Sequence, residues 1–253
     1  MDEAAILHSG LMSAFEAVLP SFDPASTFER RRGHVIVTCP RLPLPQMNGV
    51  WLGGGDVLEV AEIERICQEI EGKGVPFWLQ ARQSLTIDVA AIVDELGFRL
   101  ADSEAGMVVR RDGLTAARST SLRVERITEG DGLRTAMEVA AAGFETPTEL
   151  MEPMYSADVL ATPGVSVYLG RSEGQPVSTA VSYLANDTLG IFGVATPNSF
   201  RRRGFGTAIT AHACDRGFID GARLAWLQSS SLGEPVYRRL GFRRVETYLL
   251  YRS

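Results

Sequence analysis

One stretch in the last quarter of the 253-residue chain constrains the fold most. Residues 189–195 are apolar and β-prone, and Pro197 cannot donate to a sheet ladder, so we expect a strand that ends at Thr196. From Gly206 onward, apolar residues recur at helical spacing. The segment between them, Arg201-Arg-Arg-Gly-Phe-Gly206, is therefore predicted to be a tight turn that joins a strand to a helix.

This strand–turn–helix unit is a predicted anion site. Glycines let backbone N–H groups approach a ligand closely, and the first N–H groups of a helix have no internal partner. The helix dipole adds about half a positive charge, and three arginines lie beside it, so we expect a ligand that carries phosphate. Two common phosphate loops do not fit: the turn has no lysine, and Ile209 stands where a dinucleotide fingerprint needs its third glycine.

The turn and the strand end together resemble a known signature. Val194-Ala-Thr196 followed by Arg201-Arg-Arg-Gly-Phe-Gly206 strongly resembles the GCN5-related N-acetyltransferases, the GNAT family. The resemblance implies that acetyl-CoA binds here, with its pyrophosphate on the turn. The alternative is a basic surface loop in water. The cofactor-binding residues that the resemblance implies are Val194, Ala195, Thr196, Arg201, Arg202, Arg203, Gly204, Phe205, Gly206, Thr207 and Ser230.

A second segment, Trp226 to Phe242, supports the resemblance. We expect a strand over 226–228, a short helix over 234–240 that ends at Gly241, and a strand over 245–251. In the family the corresponding tyrosine, here Tyr237, is the usual general acid for the departing thiolate. A phenol has a reference pKa of about 10 and so holds its proton at neutral pH. The alternative is that Tyr237 is a packing aromatic on a short helix.

An internal repeat predicts a second copy of the fold. Residues 76–84 resemble residues 224–231, and each segment is followed by a short helix and by Leu-Gly-Phe, at 96–98 and at 240–242. Upstream, a strand and a helix match in the same order. We therefore predict an α/β (α+β) protein with two GNAT-like domains, each a mixed, mostly antiparallel twisted sheet flanked by helices. The predicted domains are residues 1–112 and 120–253.

The first predicted domain lacks the signature. Gly53-Gly-Gly-Asp56 stands where Arg-x-x-Gly-x-Gly would be, without a preceding arginine and with a negative charge where a pyrophosphate would lie. No tyrosine matches Tyr237. We predict that this degenerate copy does not bind CoA. The alternative for Gly53 to Gly55, which the residues favour, is a flexible loop.

Further elements follow from periodicity and turn residues. The predicted helices are 4–19, 57–70, 89–96 and 131–144. Asp56 is the predicted N-cap of the helix over 57–70. The predicted strands are 34–38, 48–52, 75–80, 107–110, 122–127 and a hairpin of 165–171 with 176–185, while Arg30 to Arg32 is expected to be a solvated stretch.

The resemblance implies an N-acetyltransferase that moves an acetyl group from acetyl-CoA to a small-molecule or peptide amine. The amine attacks directly, so no nucleophilic side chain is required. The strand end at 194–196 would pair with the pantetheine arm, and one of its N–H groups would polarise the thioester carbonyl. The general base stays unassigned, because the signature strand carries no carboxylate. Three acids near the expected acceptor site could act through water: Glu145, Glu149 and Glu152.

Other classes of function stay open: an acyl-CoA sensor without turnover, a tandem transferase for one specific metabolite, or a first domain that shapes the acceptor cleft or a homodimer. The net charge of −6 argues against nucleic acid as a partner. Three unclustered cysteines and three scattered histidines predict neither disulfide nor metal site. With no secretion signal and no apolar run of about 20 residues, we expect a cytoplasmic protein without a membrane span.

Overall fold

The computed structural model describes residues 2–53, 59–85, 89–115 and 121–253. Within them, the strands are β1 Thr27–Arg31, β2 His34–Thr38, β3 Gly49–Leu52, β4 Trp78–Arg82, β5 Arg99–Arg110, β6 Arg123–Ile127, β7 Val165–Ser172, β8 Gln175–Ala185, β9 Thr188–Ala195, β10 Leu224–Ser229 and β11 Arg243–Arg252. The helices are α1 Glu3–Phe22, α2 Val60–Glu71, α3 Val89–Glu95, α4 Gly130–Phe144, α5 Thr148–Met151, α6 Ala157–Ala161, α7 Phe205–Ile219 and α8 Glu234–Arg239.

All of these strands join one mixed, mostly antiparallel sheet. Their order is β1-β2-β3-β4-β11-β5-β10-β9-β8-β7-β6. Only the β3–β4 and β9–β10 pairs are parallel among the described strands. The sheet is flanked by helices on both faces, as the fold-class prediction states.

Alternation along the strands decides which face each helix covers. In β10, Trp226 packs against α1, whereas its neighbours Ala225 and Leu227 pack against α7. In β3, Trp51 packs against α1 and its neighbour Val50 packs against α2. Successive side chains of a strand point to opposite faces, so α1 covers one face across both halves, and α2 and α7 cover the other.

Helix α1 lies over the centre of the sheet. It is the one described helix that is long and apolar enough, by length and composition alone, to cross a membrane. Its residues Leu7, Leu11 and Leu19 are buried in a cluster with strand residues from both halves of the chain. Apolar side chains of α1 thus pack against the sheet inside the fold.

The two halves of the chain exchange their last strands. β5 ends the N-terminal half, yet it lies between β10 and β11. β11 ends the C-terminal half, yet it lies between β4 and β5. At the centre of the sheet, Tyr248 of β11 pairs with Arg82 on one side and with Glu104 on the other. The predicted domains 1–112 and 120–253 therefore share one sheet, and their boundary, of which 116–120 lie outside the described residues, stays a prediction.

The two halves have the same order of elements. β3, α2, β4, α3 and β5 repeat as β9, α7, β10, α8 and β11. In each half an antiparallel pair, β2–β3 or β8–β9, is followed by a parallel pair, β3–β4 or β9–β10. This agreement supports the repeat seen in the sequence.

Three sequence expectations need correction. β4 begins at Trp78 rather than Val75, because Pro76 cannot join a ladder. β5 begins at Arg99 rather than Met107, since its exposed first half shows no apolar alternation. Arg30 and Arg31, expected in a merely solvated stretch, lie in the edge strand β1 and form ion pairs with acidic side chains. The Gly54-Gly-Asp56 run and its predicted helix cap lie outside the described residues.

Candidate active site

The parallel strands β9 and β10 separate at one end. They pair at three register positions, of which the last is Gly190 with Trp226. Beyond it, β9 continues to Ala195 along β8, and β10 continues to Ser229 along β5. The facing backbone edges of the two strands are left unpaired, so an extended ligand can enter the cleft as an added strand.

Aromatic rings mark the point where the strands separate. Trp226 is 1% exposed, and the ring of Phe192 meets it edge-on with centroids 5.3 Å apart. A Cβ at Gly190 would lie 2.6 Å from the indole ring and 2.7 Å from the Phe192 ring. Only glycine fits here, because any other residue would collide with both rings.

A β-bulge changes the direction of the backbone near the end of β9. Val181 pairs with Phe192 but Thr179 pairs with Ala195, so β9 has one residue more than β8 over this span. Gly193 has a φ of 57°, which favours glycine. A bulge leaves a residue outside the ladder. The predicted ligand strand Val194 to Thr196 thus follows a local break in the pairing with β8.

The predicted anion turn is present as a helix N-terminus. Gly204, with a φ of 83°, is the N-cap of α7, and the first bond of that helix runs from Ala208 N to Gly204 O over 2.9 Å. The N–H groups of the three residues before Ala208 have no acceptor within the helix. Thr196 Oγ1 is buried without a partner, and a Cβ at Gly206 would lie 3.7 Å from it. These donors and this open space fit a phosphate group.

The three arginines of the turn have different roles. Arg201 donates from Nε to Thr196 O over 3.1 Å and from its NH2 group to Gly143 O over 2.6 Å, which ties the end of β9 to α4. The guanidinium of Arg203 lies over the ring of Phe205 at 5.0 Å. Arg202, with a φ of 63°, is exposed. Arg201 is thus occupied by carbonyl groups, while Arg202 and Arg203 lie exposed beside the helix N-terminus.

Tyr237 lies on α8, at the α7 side of the sheet. The ring centroids of Tyr237 and Phe242 lie 5.9 Å apart, and Tyr237 packs against the same core cluster as Val194 of β9. Burial, with a smaller effect of Cys214, raises the pKa of Tyr237 to about 12, so the phenol keeps its proton at neutral pH. Ser230 lies in the turn before α8, where its hydroxyl accepts from Gly233 N at 3.4 Å.

A cavity of about 520 Å³ opens on the opposite face, beneath α1. Phe192 and Gly193 of β9 and Gln228 of β10 line it, so it begins where the two strands separate. Its other wall comes from the N-terminal half and includes Gln80 of β4 and Glu104 of β5. The strand exchange is what brings these two residues to the cavity.

Glu104 is the acidic residue that the sequence analysis missed. Burial, with the nearby Asp102 as a smaller cause, raises its pKa to about 7. The acids considered from sequence, Glu145, Glu149 and Glu152, are exposed and lie outside the cavity lining. No local pattern marks Glu104, because its position depends on strand pairing with a distant part of the chain.

The cysteines are free thiols. Cys39, Cys67 and Cys214 are all buried thiols, and burial raises the pKa of Cys39 to about 11. Within the described parts of the chain, no group of three or more His, Cys, Asp and Glu side chains is placed to hold a metal ion.

Comparisons with known proteins agree with this geometry. Residues 134–242 match the model of the Acetyltransferase (GNAT) family. A GCN5-related N-acetyltransferase from Kribbella flavida superposes with a TM-score of 0.69 at 21% identity, over 95% of this chain and 94% of that chain. A GCN5-related N-acetyltransferase from Sphaerobacter thermophilus gives 0.64 at 14% identity, over 96% and 91% of the two chains.

A third structure is described as a tandem GNAT protein from the clavulanic acid biosynthesis pathway. Its TM-score is 0.59 at 12% identity, over 90% of this chain and 83% of that chain. A comparison with curated protein sequences found no match. Structural likeness at these identities shows the fold, and the family model adds a sequence match over the strand–turn–helix unit. The chain thus has the fold of the GCN5-related N-acetyltransferases, and the match over residues 134–242 supports placing its C-terminal half in that family.

Proposed function

We propose that this protein is an N-acetyltransferase that transfers an acetyl group from acetyl-CoA to an amine acceptor by direct attack. One observation carries the proposal: the unpaired cleft between β9 and β10 has a helix N-terminus beside it and a cavity on the opposite face of the sheet. A donor bound through phosphate and an acceptor held in a cavity can thus meet at the cleft.

The donor would be held by backbone groups. The N–H groups of Phe205, Gly206 and Thr207 suit a pyrophosphate, and Arg202 and Arg203 add charge at its side. The unpaired strand end from Val194 to Thr196 suits the pantetheine arm. The donor supplies an acetyl group as a thioester, and the chain supplies no covalent nucleophile.

Tyr237 would be the general acid. Its phenol keeps its proton in the folded protein, and its ring packs against the same core cluster as Val194. A proton donor there stabilises the departing thiolate. We expect no donor site in the N-terminal half, which contributes a cavity wall instead.

Calorimetric titration with acetyl-CoA tests this assignment. We expect one site per chain, lost in Gly206→Glu, because that change puts bulk and negative charge at the helix N-terminus. The matched control is Gly130→Glu, which makes the same change in the first turn of α4, where a Cβ meets nothing within 4 Å.

Each outcome of the titration has a clear meaning. Two sites per chain would restore the N-terminal half as a donor site. No binding, or binding that survives in Gly206→Glu, would overturn the proposed donor site. Binding of acetyl-CoA without transfer to any amine in a broad screen would favour a sensor over an enzyme.

A further inference from the structure

We propose that Glu104 is the catalytic base of this transferase and that the acceptor is a primary amine with a large apolar body. The inference rests on the proposed function, and it concerns the acceptor side of the same site. The base comes from the N-terminal half, through the exchanged strand β5.

The position of Glu104 follows from the strand register. Glu104 pairs with Tyr248, and Gly106, two residues on, pairs with Gln228 of β10. Glu104 and Gln228 both line the cavity. β5 lies two strands from β9, and β9 and β10 have already separated at this level, so Glu104 lies at least two strand spacings, roughly 10 Å, from β9. A glutamate side chain covers part of this distance, and bridging water can cover the rest.

Buried polar atoms without partners indicate that the cavity is built for a polar ligand group. Gln80 is 3% exposed and lines the cavity, and its Nε2 has no hydrogen-bond partner. Gln228 Nε2, on another wall, is also buried without a partner. A buried donor without a partner costs about 1–3 kcal/mol, so a ligand that carries an accepting oxygen gains by binding here.

Most of the rest of the lining is apolar, and this apolar surface determines the body of the acceptor. Side chains from both halves contribute to this wall: Leu11, Phe15, Trp51, Met154, Val181 and Phe192. A small hydrophilic amine would leave this apolar lining in contact with water. An aromatic or branched aliphatic body would bury it, which contributes about 25 cal/mol for each Å² removed from water.

Several charged or titratable groups lie around Glu104. They are Asp102 on its own strand, Glu246 and Tyr248 on β11, Arg82 on β4 and His8 on α1. Burial lowers the pKa of His8 to about 4, so His8 is neutral at pH 7. Burial and Asp102 raise the pKa of Glu104 to about 7, close to the value at which a base accepts protons best at neutral pH.

The transfer proceeds by direct attack of the amine on the thioester. Glu104 takes one proton from the bound ammonium group and later releases it to solvent. The free amine nitrogen then bonds to the acetyl carbon while the carbon–sulfur bond breaks. The sulfur takes the Tyr237 proton, and the second proton lost by the nitrogen returns to Tyr237 through water.

The variant Glu104→Gln tests the role in catalysis. We expect kcat to fall by about 10²-fold or more, with loss of the limb of the pH profile that rises near pH 7 and with unchanged affinity for acetyl-CoA. The matched control is Glu138→Gln, which removes an exposed carboxylate from α4 and should change neither quantity. A Glu104→Gln enzyme with wild-type kcat and pH profile would overturn the proposal.

Binding without acetyl-CoA gives a second readout. In wild type, 2-phenylethylamine should bind about tenfold more tightly at about pH 8 than at about pH 5.5, because Glu104 becomes charged over that range. The uncharged analogue 2-phenylethanol should show no such change. In Glu104→Gln the amine should behave like the alcohol. Equal binding of the amine by wild type at both pH values would overturn the role of Glu104.

Further results distinguish a failure of the variant to fold, a failure of the proposed function and a failure of the proposed acceptor. If Glu104→Gln does not fold, the pH dependence in wild type alone decides the proposal. If acetyl-CoA fails to bind while the amine binds with the expected pH dependence, the proposed function fails and the amine site stands. If acetyl-CoA binds and only small hydrophilic amines are acetylated, the apolar acceptor is wrong.

Discussion

At the scale of single residues, burial sets the protonation of both groups proposed for catalysis. Burial disfavours the charged form, so the pKa of Tyr237 rises to about 12 and that of Glu104 to about 7. Tyr237 therefore holds a proton to donate, and Glu104 can accept one at neutral pH. The two side chains come from different halves of the chain and lie on opposite faces of the sheet.

Tyr237→Phe should separate catalysis from binding. We expect kcat to fall by about 10²-fold, because the proton donor is removed, and the Kd for acetyl-CoA to stay the same, because the ring still packs on Phe242. Steady-state kinetics and calorimetry measure the two quantities. The control is Tyr251→Phe, because the Tyr251 ring packs in a different core cluster, with residues of α2. An unchanged kcat in Tyr237→Phe would refute the acid role.

The raised pKa of Glu104 also predicts how stability depends on pH. The folded protein binds this proton more tightly than the unfolded chain, whose value is near 4.5, so stability is lost as pH rises from about 4.5 through 7. Glu104→Gln should remove this loss and gain about 3 kcal/mol at about pH 8, and nothing at about pH 4. Urea unfolding of wild type and Glu104→Gln at both pH values measures this difference in the free energy of unfolding. A gain of equal size at both pH values would contradict this account.

At the scale of elements, α1 is the helix that joins the two halves. It approaches the sheet closely at Gly10, where a Cβ would lie 2.6 Å from Trp226 Nε1. The indole also marks the fork between β9 and β10. Close packing of α1 therefore fixes the indole ring at the point where these strands separate, and α1 covers the cavity through Leu11 and Phe15.

Gly10→Ala should destabilise the protein although alanine favours helices by about 1 kcal/mol. The new methyl group overlaps the Trp226 ring, so we expect a net loss of about 1–3 kcal/mol in the free energy of unfolding. Gly130→Ala is the control, because a Cβ there meets nothing within 4 Å. Chemical denaturation compares the two variants. Equal stability of both would show that α1 can shift away from the sheet without cost.

At the scale of the whole molecule, strand exchange makes the halves interdependent. Without β5, the edges of β10 and β11 lose their central partner, and the cavity beneath α1 loses one of its walls. The hydrogen bonds between β5 and β11 run along most of both strands. Separate folding of either half would leave these edges unpaired, which favours aggregation.

We therefore expect fragments 1–115 and 121–253 to be insoluble or unfolded when expressed alone and to purify together when co-expressed. Circular dichroism and co-purification on a tag carried by one fragment measure this. As a control, a full chain nicked within 116–120 should stay folded. A soluble, fully active C-terminal fragment would show that the exchanged strand is dispensable.

Much of the architecture could be predicted because its signals are local. The turn at 201–206, the Tyr237 helix and the β7–β8 hairpin are confirmed at or near the predicted positions. Apolar periodicity, glycine and proline act within a few residues. The polar strand β1 and the exposed start of β5 could not be predicted, because their pairing partners, rather than their own composition, make them strands.

By itself the sequence determined the strand–turn–helix unit, the repeated order of elements and the resemblance to the GNAT family, since each depends on neighbours along the chain. Only the tertiary structure decided that β5 and β11 change places, and hence that Glu104 and Gln80 face a cavity shared with Phe192 and Gly193. The physical reason is that pairing between distant strands depends on edge complementarity and on packing beneath α1. No short pattern in the sequence carries that information.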